Sequence, residues 1–347
     1  MKVVHLLPAL EQGGVETVVC DLVRALDACE SVVISKGGRL AERIKASGGR
    51  HIALDLKSKN PLTYFSRAWK LRRILRQERP DLVCVHSRVP AWLFVWANRG
   101  LGLRWISYAH GANSVSRYSE VMTKGDLVIT PSRFLADYLK LNYGLSEGKI
   151  RVIPNSVDTE RFDPENLDQA FIEAKKCEWG IRDGDRVSMA IGRITPSKGL
   201  EGLVREFAKR SGKDSDSPLK LVIVGGADRH HLKFLESLKE LAKDLRRETG
   251  DVIFAGPQEK IPECISIADE IVSANTTKPE TFGLSVVEAY AMNKPVRAKR
   301  FGGVAEVMEA VEKANKPTLR EAVISLYGRD LQAKRTLAAY REALDMV

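Results

Sequence analysis

Ser188-Met189-Ala190-Ile191-Gly192-Arg193-Ile194-Thr195-Pro196-Ser197-Lys198-Gly199 runs from a short apolar stretch, through a glycine and two cations, into the amphipathic segment Lys198–Lys209. An apolar run of strand length, a glycine turn and a helical pattern make one βα unit. Outward from it the pattern repeats. Upstream stand strand candidates Val3–Leu7, Val32–Ser35, Leu82–His86, Trp105–Ala109, Leu127–Thr130 and Ile150–Ile153. Helix candidates Glu16–Leu26, Leu62–Gln77, Pro90–Arg99 and Arg133–Asn142 separate them. Downstream come Leu219–Val224, Val252–Phe254 and Glu270–Ala274, with helices at His231–Arg247 and Leu284–Met292. Strands alternating with helices predict parallel sheets. The alternation halts in the polar, turn-rich Asn155–Pro164. The chain therefore reads as α/β, with two doubly wound domains over 1–160 and 161–328. A closing helix over 329–347 is expected to pack back toward the first domain.

Composition agrees. The 347 residues are 44% hydrophobic and 29% charged, enough apolar content for sizeable cores and against global disorder. No apolar run approaches the ~20 residues of a membrane-spanning helix. The opening Met1–Leu10 is interrupted by His5 and runs into Glu11-Gln12-Gly13-Gly14, so it reads as a first buried strand and not a signal peptide. A cytoplasmic location is expected. Cys20, Cys29, Cys84, Cys177 and Cys264 are far apart and never in a Cys-x-x-Cys pair. They fit buried small hydrophobes, not a disulfide framework or zinc site. Ser211–Pro218 reads as a solvated loop.

The net charge is +10, but residues 57–79 alone carry eight basic side chains and one acid. The excess is one segment and not a diffuse field, which weakens a general nucleic-acid reading. No nucleic-acid partner is expected. Within that segment Phe65, Trp69, Leu71, Ile74 and Leu75 lie among cations. Either an apolar stripe faces the sheet and the cations are solvated, or the helix attaches to an anionic membrane surface.

In doubly wound domains ligands bind beyond the carboxyl ends of the strands, so with two domains the expected site is a cleft between them. Gly13 and Gly14 follow the first strand and precede a helix, where backbone can approach a phosphate or sugar. A tight turn would use them equally well, and no Gly-x-Gly-x-x-Gly occurs, which argues against a dinucleotide enzyme. Gly192, Arg193 and Lys198 set two cations at a helix N-terminus, an anion site. Pro279-Glu280-Thr281-Phe282-Gly283-Leu284-Ser285-Val286-Val287-Glu288 places two acids eight residues apart, an offset that can share a helix face. An equal reading has Glu280 capping the helix and Glu288 on its surface. Tyr108-Ala109-His110-Gly111 puts a histidine at a strand end. His230-His231 is discounted as a metal pair, since adjacent residues point apart and no carboxylate or cysteine sits at ligand spacing. Asp183-Gly184-Asp185 and Asp214-Ser215-Asp216 lie in hydrophilic loops and read as incidental.

Together, Gly13-Gly14, His110, Arg193…Lys198 and Glu280…Glu288 resemble the family 4 retaining glycosyltransferases, whose GT-B fold is two Rossmann-like domains facing across a cleft. Ile153-Pro154-Asn155-Ser156-Val157-Asp158…Phe162 resembles their interdomain segment, with Ser156 in place of glycine, and Gly302-Gly303-Val304-Ala305-Glu306 ends the likeness. His86-Ser87-Arg88-Val89-Pro90-Ala91-Trp92 further resembles members that build lipopolysaccharide and other envelope glycans. The resemblance implies a metal-independent enzyme without cofactor, moving a sugar from a nucleotide-sugar donor to a glycan or glycolipid acceptor.

It also implies roles. Arg193 and Lys198 would bind the donor diphosphate, Glu288 the ribose and Glu280 the donor sugar. Gly192 and the loop Phe282, Gly283, Leu284 and Ser285 would line the phosphates. His110 would lie near the anomeric carbon, beside Gly13 and Gly14. Envelope-glycan members imply peripheral attachment at the inner face of the cytoplasmic membrane. There is one departure. After Glu306 the family continues through an Asp-Gly-x-x-Gly turn and another strand, whereas Val307–Lys316 runs directly into the helical Leu319–Leu326 and Arg329–Leu344. A shortened sheet edge is expected, and with it the alternative of a non-catalytic nucleotide-sugar or glycan binding protein. Pro295–Arg300 is also unusually basic for a strand.

Overall fold

In the computed structural model the described residues, 1–11, 13–211, 219–245, 251–275 and 278–346, form two all-parallel sheets. They divide into one unit of Met1–Ser156 with Tyr327–Val347 and another of Val157–Leu326. In chain order the first unit contains β1 (Lys2–Leu6), α1 (Gly14–Ala25), β2 (Glu30–Ser35), α2 (Ala41–Ala46), β3 (Arg50–Ala53), α3 (Tyr64–Glu78), β4 (Leu82–Val85), α4 (Arg88–Ala97), β5 (Arg104–Tyr108), β6 (Leu127–Thr130), α5 (Arg133–Tyr143) and β7 (Ile150–Val152). The second follows with α6 (Gln169–Glu178), β8 (Arg186–Ile191), α7 (Leu200–Ser211), β9 (Leu219–Val224), α8 (Leu232–Asp244), β10 (Val252–Gly256), α9 (Ile261–Ile267), β11 (Glu270–Ser273), α10 (Leu284–Ala291), β12 (Val296–Ala298), α11 (Gly303–Lys313) and α12 (Leu319–Tyr327). Last comes α13 (Arg329–Asp345).

The sheet orders are β3-β2-β1-β4-β5-β6-β7 and β10-β9-β8-β11-β12. In each, strand order reverses once, between β1 and β4 and between β8 and β11. Connections on the two sides of a reversal leave in opposite directions, which opens a crevice at the carboxyl ends. The central strands are apolar because helices cover both faces. In the first unit Val4, Leu6, Val83, Val85 and Trp105 pack with Ala68, Leu71 and Phe94 of α3 and α4. On the opposite side Leu7 and Val33 pack with Val19 and Val23 of α1. Helix α13 belongs to this unit. Tyr340 is fully buried with its hydroxyl 2.9 Å from that of Tyr108, Ser156 Oγ donates to Gln332 at 2.7 Å, and Arg151 Nε donates to Glu342 at 2.8 Å.

Strand β3 was not among the candidates, and β12, within Pro295–Arg300, was marked as a strand only by the resemblance. Both are short edge strands without a clear apolar run, and β12 carries Arg297. That basic residue is accommodated by Glu270 of the neighbouring β11, 3.2 Å away, and by Glu206 at 2.7 Å. Past Glu306 the chain stays in α11 and proceeds to α12, and β12 is the sheet edge among the described residues. Residues 212–218 of the expected loop, and 246–247 of the helix expected over His231–Arg247, lie outside the described residues.

Two expectations are corrected. Cys177 is exposed and Cys29 half-buried, so only Cys20, Cys84 and Cys264 serve as buried hydrophobes. On α3 the apolar residues split: Ala68, Leu71 and Leu75 face inward, whereas Phe65 and Trp69 are 62% and 56% exposed beside Leu62 at 90%. Its cations split as well. Arg67 is buried and donates to the carbonyls of Asp55, Asn60 and Thr63. Arg72 donates to the carbonyls of Ala97 and Arg99, leaving Lys70, Arg73 and Arg76 exposed to solvent. No helix among the described residues is long and apolar enough to cross a membrane.

Candidate active site

At the reversal in the second unit, the loop after β8 lies against the loop after β9. Gly192 and Gly225 have φ of +145° and +148°, and a Cβ on Gly225 would stand 1.8 Å from the Gly192 carbonyl oxygen. Gly192 and Ile194 donate backbone N–H bonds to Val224 and Gly226, both at 2.9 Å. Only glycine fits such a contact at such φ. Gly225-Gly226 was missed in the sequence, although a glycine pair directly after an apolar strand was its signal.

From the other side of the reversal come Asn275 and Glu280. The Glu280 backbone is bridged to Gly302, and its carbonyl accepts the Gly303 N–H at 2.8 Å. A Cβ on Gly302 (φ +64°) would meet Pro279 Cβ at 2.6 Å, so the glycines opening α11 are the seat of the Glu280 loop. Glu280 Oε1 accepts from Lys198 Nζ and Asn275 Nδ2, making one charged network. Gly192, Arg193, Lys198, Asn275, Glu280 and Ser285 line one pocket. Arg193 is exposed and has no ion-pair partner among the described residues. Gly283 (φ +95°) is the N-cap of α10, and no side chain caps it. The first N–H groups of α10 therefore lack intrahelical acceptors by geometry. Phe282 is 4% exposed and anchors the loop from beneath.

Both earlier readings of the acid pair are corrected. Glu280 precedes α10 and sits in a backbone bridge, so no helical face links it to Glu288, and it does not cap the helix. Glu288 lies within α10, half-buried, with interactions of its own, and is not among the pocket-lining residues. Asn275 had no motif to mark it. Only the end of β11 brings it to Glu280.

At the reversal in the first unit the side chains are imidazoles. His5 Nδ1 lies 3.1 Å from His86 Nε2, and His86 Nδ1 lies 3.0 Å from His110 Nε2. Burial pushes His5 and His110 down to about 4 and His86 well below its usual range, so all are neutral at pH 7. Gly13 is the N-cap of α1 at φ −172°, an extended backbone open to any residue, and Gly14 begins the helix. Neither glycine is held in the left-handed region.

The remaining candidates resolve as structure. Asp185 accepts the Arg182 N–H at 2.8 Å and faces Lys220 at 3.6 Å, at the amino ends of β8 and β9 and away from the pocket. Asp214-Ser215-Asp216 lies outside the described residues. His231 Nδ1 pairs with Asp228 Oδ1 at 2.7 Å, so a carboxylate does stand near it, contrary to the expectation.

Two doubly wound parallel-sheet units, each with one reversal of strand order, are the GT-B class of fold. The chain matches Glycosyltransferase Family 4 over residues 12–161 and Glycosyl transferases group 1 over residues 171–317. It belongs to the family 4 glycosyltransferases. It is 31% identical over 187 residues to the D-inositol 3-phosphate glycosyltransferase of Nocardia farcinica, covering 53% of this chain and 40% of that relative. The matched stretch is thus less than half of the relative's length. A glycosyltransferase crystal structure from Rickettsia africae shares the fold at TM-score 0.84 and 25% identity, over 100% of this chain and 99% of that one. HepE of Anabaena, solved in complex with UDP and glucose, shares it at TM-score 0.82 and 17% identity, over 98% and 99% of the two chains.

Proposed function

We propose that the protein is a retaining, metal-independent glycosyltransferase that moves a sugar from a nucleotide-sugar donor to a glycan or glycolipid acceptor of the cell envelope. The observation that carries this reading is the pocket joining Gly192, Arg193, Lys198, Asn275, Glu280 and Ser285. As the glycosidic bond breaks, the leaving diphosphate gains negative charge. Arg193, Lys198 and the first amides of α10 are set where that charge can develop, the arrangement that lowers such a barrier most. Lys198 exchanges its Glu280 partner for the diphosphate, which frees the carboxylate to accept from sugar hydroxyls. Glu288 holds the ribose, and neutral His110 meets the sugar. With two cations so placed, the diphosphate needs no divalent ion, and activity should survive EDTA. A panel of nucleotide sugars tested for hydrolysis and thermal shift decides the matter, since a ligand of the folded state raises its stability. Binding without turnover would favour the non-catalytic alternative, which the sheet edge at β12 supports.

The exposed Leu62, Phe65 and Trp69, beside Lys70, Arg73 and Arg76, support attachment to an anionic leaflet on the cytoplasmic side. Each such cation adds about 1 kcal/mol near an anionic surface. Lys70→Gln with Arg73→Gln and Arg76→Gln should release the protein from anionic vesicles in sedimentation without changing donor hydrolysis. Arg72 is left in place because it holds α4. Failure of the wild type to bind at low salt would refute the attachment.

A further inference from the structure

The three imidazoles at the ends of β1, β4 and β5 form a chain with a closed end. His5 and His86 are 0% and 3% exposed, and His5 Nε2, at the far end from His110, is buried without a hydrogen-bond partner. The rings are fixed by stacking. His86 lies 4.6 Å from Tyr108 at 22° and 5.3 Å from His110 at 19°. Burial raises Tyr108, Tyr340 and Cys84 above their ordinary values, as it lowers the three histidines.

A neutral imidazole has one N–H and one lone pair. His86 spends both nitrogens within the chain, so its tautomer sets the direction of both hydrogen bonds together. In one state His5 Nδ1–H donates to His86 Nε2, and His86 Nδ1–H donates to His110 Nε2. In the other every bond reverses, and the proton of His5 moves to Nε2, where no acceptor exists. A buried N–H without an acceptor is the rarer defect, so the first direction is preferred. A proton taken up at His110 would also find no exit beyond His5. The chain is an anchor, not a conduit.

We propose that His5 and His86 are positioning residues that hold His110 with its proton on Nδ1 and its Nε2 lone pair occupied. His110 then offers a reacting sugar a hydrogen-bond donor and no basic nitrogen. The inference rests on the proposed function, in which His110 meets the donor sugar.

Two-bond proton–nitrogen spectra of histidine-labelled protein read each tautomer directly. In the wild type His110 should be protonated on Nδ1, and protonation on Nε2 would overturn the proposal without any variant. His86→Phe keeps ring volume and stacking but removes the donor. It should return His110 toward the Nε2–H form and lower kcat roughly tenfold, the worth of one hydrogen bond, while affinity for a free nucleoside diphosphate stays unchanged. His86→Asn, whose amide N–H falls near the position of Nδ1, should restore both readouts to within a few-fold. An unchanged His110 tautomer in His86→Phe, or a changed tautomer with unchanged kcat, refutes the positioning role. If no nucleotide sugar is turned over at all, the proposed function fails, and the spectra still decide the tautomer.

Discussion

The two units carry the same topological reversal and opposite electrostatics. At the second, Lys198 and Glu280 keep 33% and 17% of their side chains in solvent and remain an ion pair with Asn275 beside them. At the first, His5 and His86 are sealed and their charge is suppressed. Strand order determines where side chains converge in both. Depth of burial decides their charge once there: an ion pair where water still reaches, and neutral imidazoles where it does not.

Four experiments sharpen that contrast or break it. The largest effect is expected from Gly225→Ala, whose Cβ would enter the Gly192 carbonyl at a φ that side chains rarely adopt. A loss above about 4 kcal/mol, confined to the second unit, should appear in calorimetry as a separated transition. Gly13→Ala in the first unit is the control. There the added methyl meets only the movable end of Glu16, so the cost should stay under about 1 kcal/mol. Equal losses in the two variants would deny that the second reversal alone needs glycine.

Next in size are Arg193→Ala and Lys198→Ala. Each should lower turnover by roughly 100–1000-fold, about 2.7–4 kcal/mol, with thermal midpoints nearly unchanged. Turnover equal to wild type in both would remove charge stabilisation from the second unit's role.

The first unit should instead be sensitive to acid. Its histidines bind protons more weakly folded than unfolded, so the unfolded state holds more protons between pH 6.5 and about 4. The stability they allow is therefore present above pH 6.5 and lost as pH falls toward 4, by roughly 3 kcal/mol for each of His5 and His110. Trp69, Trp92, Trp96 and Trp105 lie in this unit and only Trp179 in the other, so urea titration followed by fluorescence reads mainly the first. A midpoint constant from pH 7.5 to 4.5 would mean the imidazoles are not buried as neutral rings.

The smallest effect separates the two acids. Glu288→Ala should weaken a free nucleoside diphosphate, and Glu280→Ala only the sugar-bearing donor, each by roughly 1.5–3 kcal/mol in calorimetry. Identical losses of nucleotide in both would show that the pocket does not divide sugar from ribose as proposed.

Much of the architecture was legible because parallel central strands must be apolar on both faces. Leu127–Thr130 and Leu219–Val224 appear in the structure with the bounds read from their β-branched runs. Edge strands obey no such demand: β3 escaped for that reason, and β12 was marked only by the resemblance. The motif Gly192–Lys198 could be read as a strand-end anion loop, since glycine and cations at a helix start carry their own physical meaning. Asn275 could not, because a lone asparagine means nothing until β11 delivers it to Glu280. Nor could the partition of α3, where periodicity alone does not say that Arg67 and Arg72 are tied to carbonyls while Phe65 and Trp69 face water.

By itself, the sequence determined the alternation of strands and helices, the glycine-and-cation loop, and the presence of Glu280 and His110 between elements and of Glu288 within a helix. These depend on local patterns of apolarity, charge and backbone freedom, which neighbours a few residues apart already express. The tertiary structure alone decided that residues 5, 86 and 110 touch, that Lys198 pairs with Glu280 across 82 positions, and that Gly302 and Gly303 support the acid loop. Those contacts follow from strand order and parallel register, and no spacing along the chain encodes which strands lie side by side.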